Sequence, residues 1–328
     1  MVLRQTGSIE NDLLTLEERP EPLPGPGEVA IDVEACGVCR TDLHIAEGEV
    51  PARLPLVPGH QAAGTVRSVG PGVERFAPGD RVGAGWLFRT CGTCEFCSSN
   101  RENLCLSPAY TGRDADGGYA EVLIADERFV LPIPSALSAI DAAPLLCAGI
   151  IGYRSLRISG IRPNGSLGLI GFGASAHLAI QVARHWGCKV FVFTREEHHR
   201  RLARELGAEW AGKALDDPGV PLDAAVIFAP AGELIPTALS RLARGATVAV
   251  NAIHMTPIPS FSFDRLYWER AVRSVANYTR RDAEEFLKLS AEIPIRATVR
   301  RYDLEDANAA LRNIKLGAID GAAVLKTR

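Results

Sequence analysis

Two textures of hydrophobic patterning divide this chain. Up to about residue 130, short β-branched runs at 28–33, 64–69 and 119–124 are separated by turns rich in Gly and Pro, such as Pro-Gly-Pro-Gly at 24–27 and Ala-Pro-Gly-Asp at 77–80. Runs of that length with that punctuation predict strands and tight turns, hence a compact β-rich domain. From about Asp141, apolar runs of strand length alternate with amphipathic stretches of helix length, which predicts βαβ units on a parallel sheet. Strands are expected at 167–170, 189–193, 224–228 and 247–250, and helices at 175–186, 196–206 and 235–242. Gly187 and Gly207 follow two of these helices as stop signals. The tail from about Arg280 carries a helical stretch at 282–289 and a closing apolar run at 322–325. There is no internal repeat, low-complexity tract or long linker.

Length makes two domains a better reading than one, since 328 residues exceed what a single core usually organises. A hydrophobic share of 47% and a charged share of 23% are those of a globular chain, and a net charge of -3 gives nucleic acid little to hold. The opening Met-Val-Leu-Arg-Gln-Thr-Gly-Ser-Ile-Glu lacks the apolar core of a signal peptide, and no run approaches the length needed to cross a bilayer. A cytoplasmic protein with neither membrane nor nucleic-acid partners is expected. Seven of the eight cysteines fall in metal-like spacings or beside a histidine-bearing stretch, so reduced, metal-bound thiols are expected rather than a disulfide framework.

Cys91, Cys94, Cys97 and Cys105 have the spacing C-x2-C-x2-C-x7-C in a polar loop, close enough along the chain to close a tetrahedron around zinc. A bacterial ferredoxin run would end C-x3-C-P, whereas here the last gap is seven residues and Leu106 follows. A nucleic-acid-binding zinc ribbon is disfavoured by Glu95, Glu102 and the lack of a basic patch. A second stretch, 36–64, reads Cys-Gly-Val-Cys-Arg-Thr-Asp-Leu-His and then Pro-Gly-His-Gln-Ala-Ala-Gly, offering thiolates and imidazoles of the kind zinc prefers. Taken alone, a Cys and a His that far apart could equally be a buried thiol and a core histidine. Cys147, in Ala-Pro-Leu-Leu-Cys-Ala-Gly, supplies a further possible ligand. Finally, Gly171-Phe-Gly173-Ala174-Ser-Ala176 follows one expected strand and opens an expected helix, the setting in which a glycine-rich turn lets backbone approach a pyrophosphate.

These pieces occur in the order used by the zinc-dependent medium-chain alcohol dehydrogenases, which the chain resembles along nearly its whole length. The resemblance implies an α/β fold: a β-rich GroES-like catalytic domain at 1–145 with a structural-zinc lobe at 88–108, a Rossmann doubly wound parallel-sheet cofactor domain at 146–279, and a return to the catalytic domain at 280–328. It implies two zinc ions per chain. The four lobe cysteines would hold a structural ion with no open position, and Cys39, His60 and Cys147 a catalytic one with a position left for substrate. Cys36 is then a neighbour, and Cys188 a packing residue.

The resemblance also assigns Asp42 as carboxylate partner of His60, although Asp42 could equally be a helix N-terminal aspartate. Thr41 and His44 match a proton relay in which the hydroxyl meets substrate and the imidazole ends at the surface. Trp86 and Val50 match positions that line the substrate pocket, where Trp86 suits small primary alcohols and aldehydes and Val50 leaves extra room. Most relatives carry Glu after the ligating histidine; Gln61 removes that charge, so a bound oxygen should ionise more readily. Ala322 stands where many relatives place an Arg against the pyrophosphate.

For the cofactor, NAD-specific chains put Asp or Glu at the end of the second Rossmann strand. Here that position is Thr194, followed by Arg195, with Arg200 and Arg201 a turn further on and Glu196 and Glu197 diluting the positive charge. A guanidinium there suits a 2′-phosphate, so NADP(H) is favoured over NAD(H). The resemblance implies a homodimer or homotetramer acting on a small-molecule alcohol or aldehyde. A quinone reductase would lack the lobe and the zinc triad, a polyol dehydrogenase commonly uses a Glu ligand where Cys147 stands, and a non-catalytic relative would not need the intact set.

Overall fold

The computed structural model describes residues 1–293 and 295–327. Its contacts divide the chain into two units, Met1–Ala148 with the tail from Thr279, and Gly149–Tyr278.

In the first unit a seven-stranded sheet is built around one long strand, Glu28–Val38. Along one edge it pairs antiparallel with Ala62–Val69; along the other, residues 28–32 pair with Val122–Asp126 and residues 35–38 with the C-terminal strand Ala322–Lys326. That last strand pairs in parallel with Val299–Asp303, which the hydrophobic pattern did not predict because only Val299 of its five residues is aliphatic. Ala322 itself is buried as the first residue of its strand. Val29, Ile31, Val33 and Ala35 are fully buried on the central strand, each large aliphatic contributing roughly 1.5–3 kcal/mol. The far end of this strand is thereby a rigid support for the residues that follow, Cys39 onward.

The second unit has six parallel strands: β1 Ser166–Ile170, β2 Lys189–Phe193, β3 Trp210–Gly212, β4 Leu222–Ile227, β5 Leu242–Val250 and β6 Ala271–Ser274. They lie in the order 3-2-1-4-5-6, the doubly wound arrangement whose strand order reverses beside β1. Helices Ala174–His185, Glu197–Glu205 and Leu234–Arg241 fall where periodicity put them, and Phe193, Ile227, Leu239 and Val248 pack in one core cluster. β3 and β6 are short edge strands without a hydrophobic alternation to announce them.

One expectation needs correcting. The stretch Ala139–Ser159 is long and apolar enough to span a bilayer by composition, with mean hydropathy 1.2. It is not one continuous α-helix: a helix at Ala139–Ala142 tightens into the turn Ala143–Leu146, Cys147 leaves helical geometry, and a second helix runs Ala148–Ser159. With 67% of that window buried inside the protein, its apolar side chains serve the core.

Candidate active site

The central strand ends at Val38 and the helix Arg40–Ala46 begins at once. Cys39 is its N-cap: the backbone is extended, the sulfur accepts from the Thr41 N–H at 3.5 Å, and Asp42 Oδ2 accepts from the Cys39 N–H at 2.8 Å. This is a capping box with a thiol in place of the usual hydroxyl. It turns the Asp42 carboxylate inward, where Oδ1 lies 2.9 Å from His60 Nδ1 and Oδ2 accepts from the Tyr119 hydroxyl at 3.0 Å. Asp42 is therefore both helix-terminal aspartate and histidine partner. One fully buried carboxylate fixes the backbone of Cys39 and the ring of His60, and with Nδ1 engaged, Nε2 is the nitrogen left for a ligand.

Tyr119 escaped the sequence reading because the strand expected from 119 begins at Val122, leaving Tyr119 in a turn. Its backbone N–H reaches the Pro58 carbonyl and that of Gly118 the Gly59 carbonyl, at 3.0 and 2.9 Å, so its ring lies over the Pro-Gly-His turn. Gly59 has φ +96°, and a Cβ there would come within 2.3 Å of the ring. The only signal in the sequence was an aromatic residue after paired glycines.

Cys147 enters from the turn ahead of the helix Ala148–Ser159. The ligating atoms of Cys39, His60 and Cys147 lie within 4.8 Å of one another. Hydrogen bonding from Cys147 pulls the Cys39 thiol well below its ordinary pKa, and the same bond, with burial, holds Cys147 well above. Burial alone would lower His60; the Asp42 charge and hydrogen bond, together with Cys39, override it and raise the pKa to about 10. Two thiols and an imidazole crowded around one point form a donor set suited to zinc, which binds thiolate and the neutral imidazole. Thr41 Oγ1 stands 3.6 Å from the Cys39 sulfur. Trp86 is buried edge-on to the His60 ring, centroids 4.9 Å apart, and stacks on Tyr110 at 4.8 Å. Gln61 is buried against Gly37, and Cys36 is sealed nearby, its thiol pushed up by burial.

His44 departs from expectation. It is buried, and its Nδ1 is bound by the Glu49 carboxylate. The reason is the way the helix ends: Gly48 takes φ +80° and donates to the Ile45 carbonyl, while Glu49 donates to the His44 carbonyl at 2.9 Å. These are the two bonds of a Schellman motif, which folds Glu49 back over His44. Val50, half-buried, follows with its own N–H on the His44 carbonyl at 3.1 Å.

The four lobe cysteines form a separate cluster. Their sulfurs are 3.5 Å apart for Cys94–Cys97 and Cys91–Cys105, 3.9 Å for Cys91–Cys97 and 4.0 Å for Cys94–Cys105. A tetrahedron with Zn–S bonds of about 2.3 Å has edges of about 3.8 Å, so the sulfurs stand close to ligating positions. Backbone N–H groups point at them: those of Thr93 and Cys94 bring Cys91 down to about 6, as those of Leu106 and Cys97 lower Cys94, whereas burial lifts Cys97 to about 11. From the same lobe the buried Glu102 accepts from the Arg280 backbone and guanidinium, tying it to the helix Arg280–Glu292.

In the second unit Gly171 adopts φ +88° and donates to the Phe193 carbonyl, making the turn out of β1. Gly173 is the N-cap of the helix Ala174–His185 and brings no capping side chain of its own, and the space where a Cβ would sit is open, a cradle that fits an anion. Ala176 is fully buried against the sheet. Thr194 is buried at the end of β2 and Arg195 is exposed. Arg200 does not belong with a phosphate patch: its guanidinium donates to the Thr194 and Arg195 carbonyls and to Glu197, while Arg201 faces Glu205. His177 is buried behind the loop, burial lowering it to about 4.

Comparison with known proteins agrees with this architecture. Residues 25–135 match the alcohol dehydrogenase GroES-like domain and residues 174–292 the zinc-binding dehydrogenase family. A probable alcohol dehydrogenase AdhA of Mycobacterium tuberculosis is 46% identical over 98% of this chain and 95% of its own length. Among solved structures, CAD from Helicobacter pylori complexed with NADP(H) is 26% identical with TM-score 0.84, over 92% of this chain and 91% of that one. An NAD-dependent alcohol dehydrogenase is 25% identical with TM-score 0.90, over 100% and 99%. The chain belongs to the zinc-dependent medium-chain alcohol dehydrogenases, oxidoreductases that use a nicotinamide cofactor.

Proposed function

We propose that this enzyme interconverts primary alcohols and aldehydes with NADP(H), carrying two zinc ions per chain. The observation that carries the reading is the convergence of Cys39, His60 and Cys147 within 4.8 Å, braced by the single carboxylate of Asp42. Among the described residues that cluster has three members where the cysteine lobe has four, which leaves a position for substrate in one and none in the other. When bound, zinc supplies a Lewis acid for the substrate oxygen, and the nicotinamide takes or gives the hydride.

The chain's own side chains do the rest. Thr41 holds the hydroxyl proton of the alcohol and hands it toward His44, while Asp42 keeps His60 in one tautomer. Trp86, wedged between His60 and Tyr110, forms a flat wall that suits unbranched substrates, and half-buried Val50 leaves room beyond the smallest of them. The N–H groups opening the helix Ala174–His185, with Gly171 and Gly173 before them, receive the pyrophosphate. With no carboxylate at Thr194, exposed Arg195 is the group offered to a 2′-phosphate. The exposed edge strand β6, flanked by Phe263 at 70% and Tyr267 at 61% exposure, supports a homo-oligomer, and eight free cysteines suit the cytoplasm.

The test is kcat/KM for primary and secondary alcohols and aldehydes with both cofactors, on the wild type and on Arg195→Ala. We expect primary substrates and NADP(H) to lead, and the arginine deletion to cut the cofactor ratio about tenfold, the equivalent of 1.4 kcal/mol. No turnover with any alcohol would overturn the function, and a wild type preferring NAD(H) the cofactor assignment.

A further inference from the structure

We propose that Asp126 is the positioning residue of the cysteine lobe: it grips Arg89 and Arg128 together, fixes the strand that delivers Cys91, holds a guanidinium beside the sulfurs, and so sets how tightly the lobe keeps its zinc. This rests on the two-zinc reading above and adds a carboxylate outside the four cysteines. Asp126 ends the strand Val122–Asp126 and caps the 3-10 turn Glu127–Phe129, and its side chain is 4% exposed. Its Oδ1 accepts from the Arg128 backbone N–H at 3.0 Å and from Arg128 Nε at 2.9 Å. Its Oδ2 accepts from Arg128 Nη2 at 2.6 Å and from Arg89 Nε at 3.1 Å. Burial alone would raise the Asp126 carboxyl; the Arg128 hydrogen bonds and charge, with Arg89 behind them, override it and lower the pKa. A forked guanidinium on a buried carboxylate is a strong, oriented ion pair, unlike the exposed pairs that contribute little.

Both arginines join this carboxylate to the lobe. Arg89 ends the strand Leu87–Arg89, two residues ahead of Cys91, and Glu28 holds its Nη2 at 2.8 Å, so the chain enters the lobe from a fixed point. Arg128 reaches Gly92, between Cys91 and Cys94: its Nη1 lies 3.9 Å from where a Cβ there would sit. The same guanidinium feels charge on Cys97. Four thiolates around a doubly charged cation leave an excess of negative charge, which a fixed guanidinium offsets. Neighbouring cations are engaged elsewhere, Arg101 by Ser99 Oγ at 3.0 Å and the Phe96 ring, Arg280 by Glu102. The far end of the lobe is tied to the same place. The guanidiniums of Arg128 and Arg280 both lie over the buried Phe129 ring, 5.9 and 5.4 Å from its centroid, and Arg280 is the partner of Glu102.

Three substitutions take this arrangement apart in steps. Asp126→Asn keeps the size of the side chain but sets an amide against two guanidiniums, so the fork opens and both arginines lose their common anchor. Arg128→Met keeps a long apolar stem over Phe129 and removes the charge. Arg128→Lys restores the charge without the fork.

The experiment adds a chromophoric zinc chelator to the holoenzyme and follows metal release, with Cys94→Ala showing which phase belongs to the lobe. We expect the lobe phase to run about tenfold faster in Asp126→Asn and about threefold faster in Arg128→Met, with the other phase unmoved. Arg128→Lys should return to within about twofold of wild type, since the charge is back. The gap between Arg128→Met and wild type should close as salt rises from about 0.05 to about 0.5 M, because ions screen a half-exposed guanidinium. A side chain acting by packing alone would keep that gap. Lobe release at the wild-type rate in Asp126→Asn and Arg128→Met, equal acceleration of both phases, no recovery in Arg128→Lys, or a gap indifferent to salt overturns the inference. If the wild type holds no more zinc than Cys94→Ala, the two-zinc reading falls and the inference with it; if it holds one ion more and its lobe phase ignores all three substitutions, only the role of Asp126 falls.

Discussion

The two candidate metal centres reach similar donor sets by opposite routes. The cysteine lobe takes all four ligands from fifteen consecutive positions, 91–105, using a short helix at Glu95–Ser98 and a 3-10 turn at Glu102–Leu104 to aim the sulfurs. The other centre gathers Cys39, His60 and Cys147 from a helix cap, a strand approach and a helix entry. A local site loses little chain entropy when it closes, and ligand binding organises it; a distributed site must be held by the fold beforehand. That holding is visible. The lobe sulfurs are met by backbone N–H groups, one of them exposed, whereas Cys39 and His60 are anchored through a carboxylate that is 0% exposed. On the proposed two-zinc reading, one centre would depend on metal to stay folded and the other on the fold to bind metal.

The sharpest break between them is loss of one ligand from each. His60→Ala should reduce turnover by at least about a thousandfold and zinc from two ions to one per chain, with a melting temperature near wild type. Cys94→Ala should retain the catalytic ion but melt lower by roughly 10 °C, since the free energy of a structural ion is folding free energy. Metal analysis, activity and calorimetry on both variants check this; equal effects on stability and turnover would erase the distinction.

Asp42 offers a second test because the distributed centre hangs on it. Asp42→Asn retains the size and one acceptor but removes the charge beside His60, and zinc affinity at that centre should fall about 10- to 100-fold. Competition with a chelator would measure it, the lobe ion serving as internal reference. Tyr119→Phe removes one donor from the same buried carboxylate; it should lower zinc affinity by less than Asp42→Asn does, while costing about 1–3 kcal/mol in stability. An affinity indifferent to both would mean that His60 is oriented by packing against Trp86 alone.

The smallest effect is electrostatic. Gln61→Glu adds a buried negative charge near the distributed centre and none near the lobe. We expect the pKa governing alcohol oxidation to move upward by about one unit or less, because the added charge opposes ionisation of the bound substrate. A pH–rate profile that stays in place or moves downward would show that position 61 is remote from the reacting oxygen.

Periodicity by itself determined the two textures, most strands of the parallel sheet, its three main helices and the glycine loop, because those signals repeat within a single element. The cysteine lobe was legible for the same reason, its chemistry being written in consecutive spacings. Residue types and spacing named Cys39, His60 and Cys147 only with help from a family resemblance, since no local rule joins positions 39, 60 and 147. Tertiary structure decided what the side chains meet. It gave Asp42 two tasks at once, placed Tyr119 over Gly59, withdrew Arg200 from the phosphate patch into backbone bonds, and buried His44 beneath Glu49. The order of charges along a helix says nothing about which of them a left-handed glycine will fold back, and a buried carboxylate shows its partners only once strands far apart in sequence have come together.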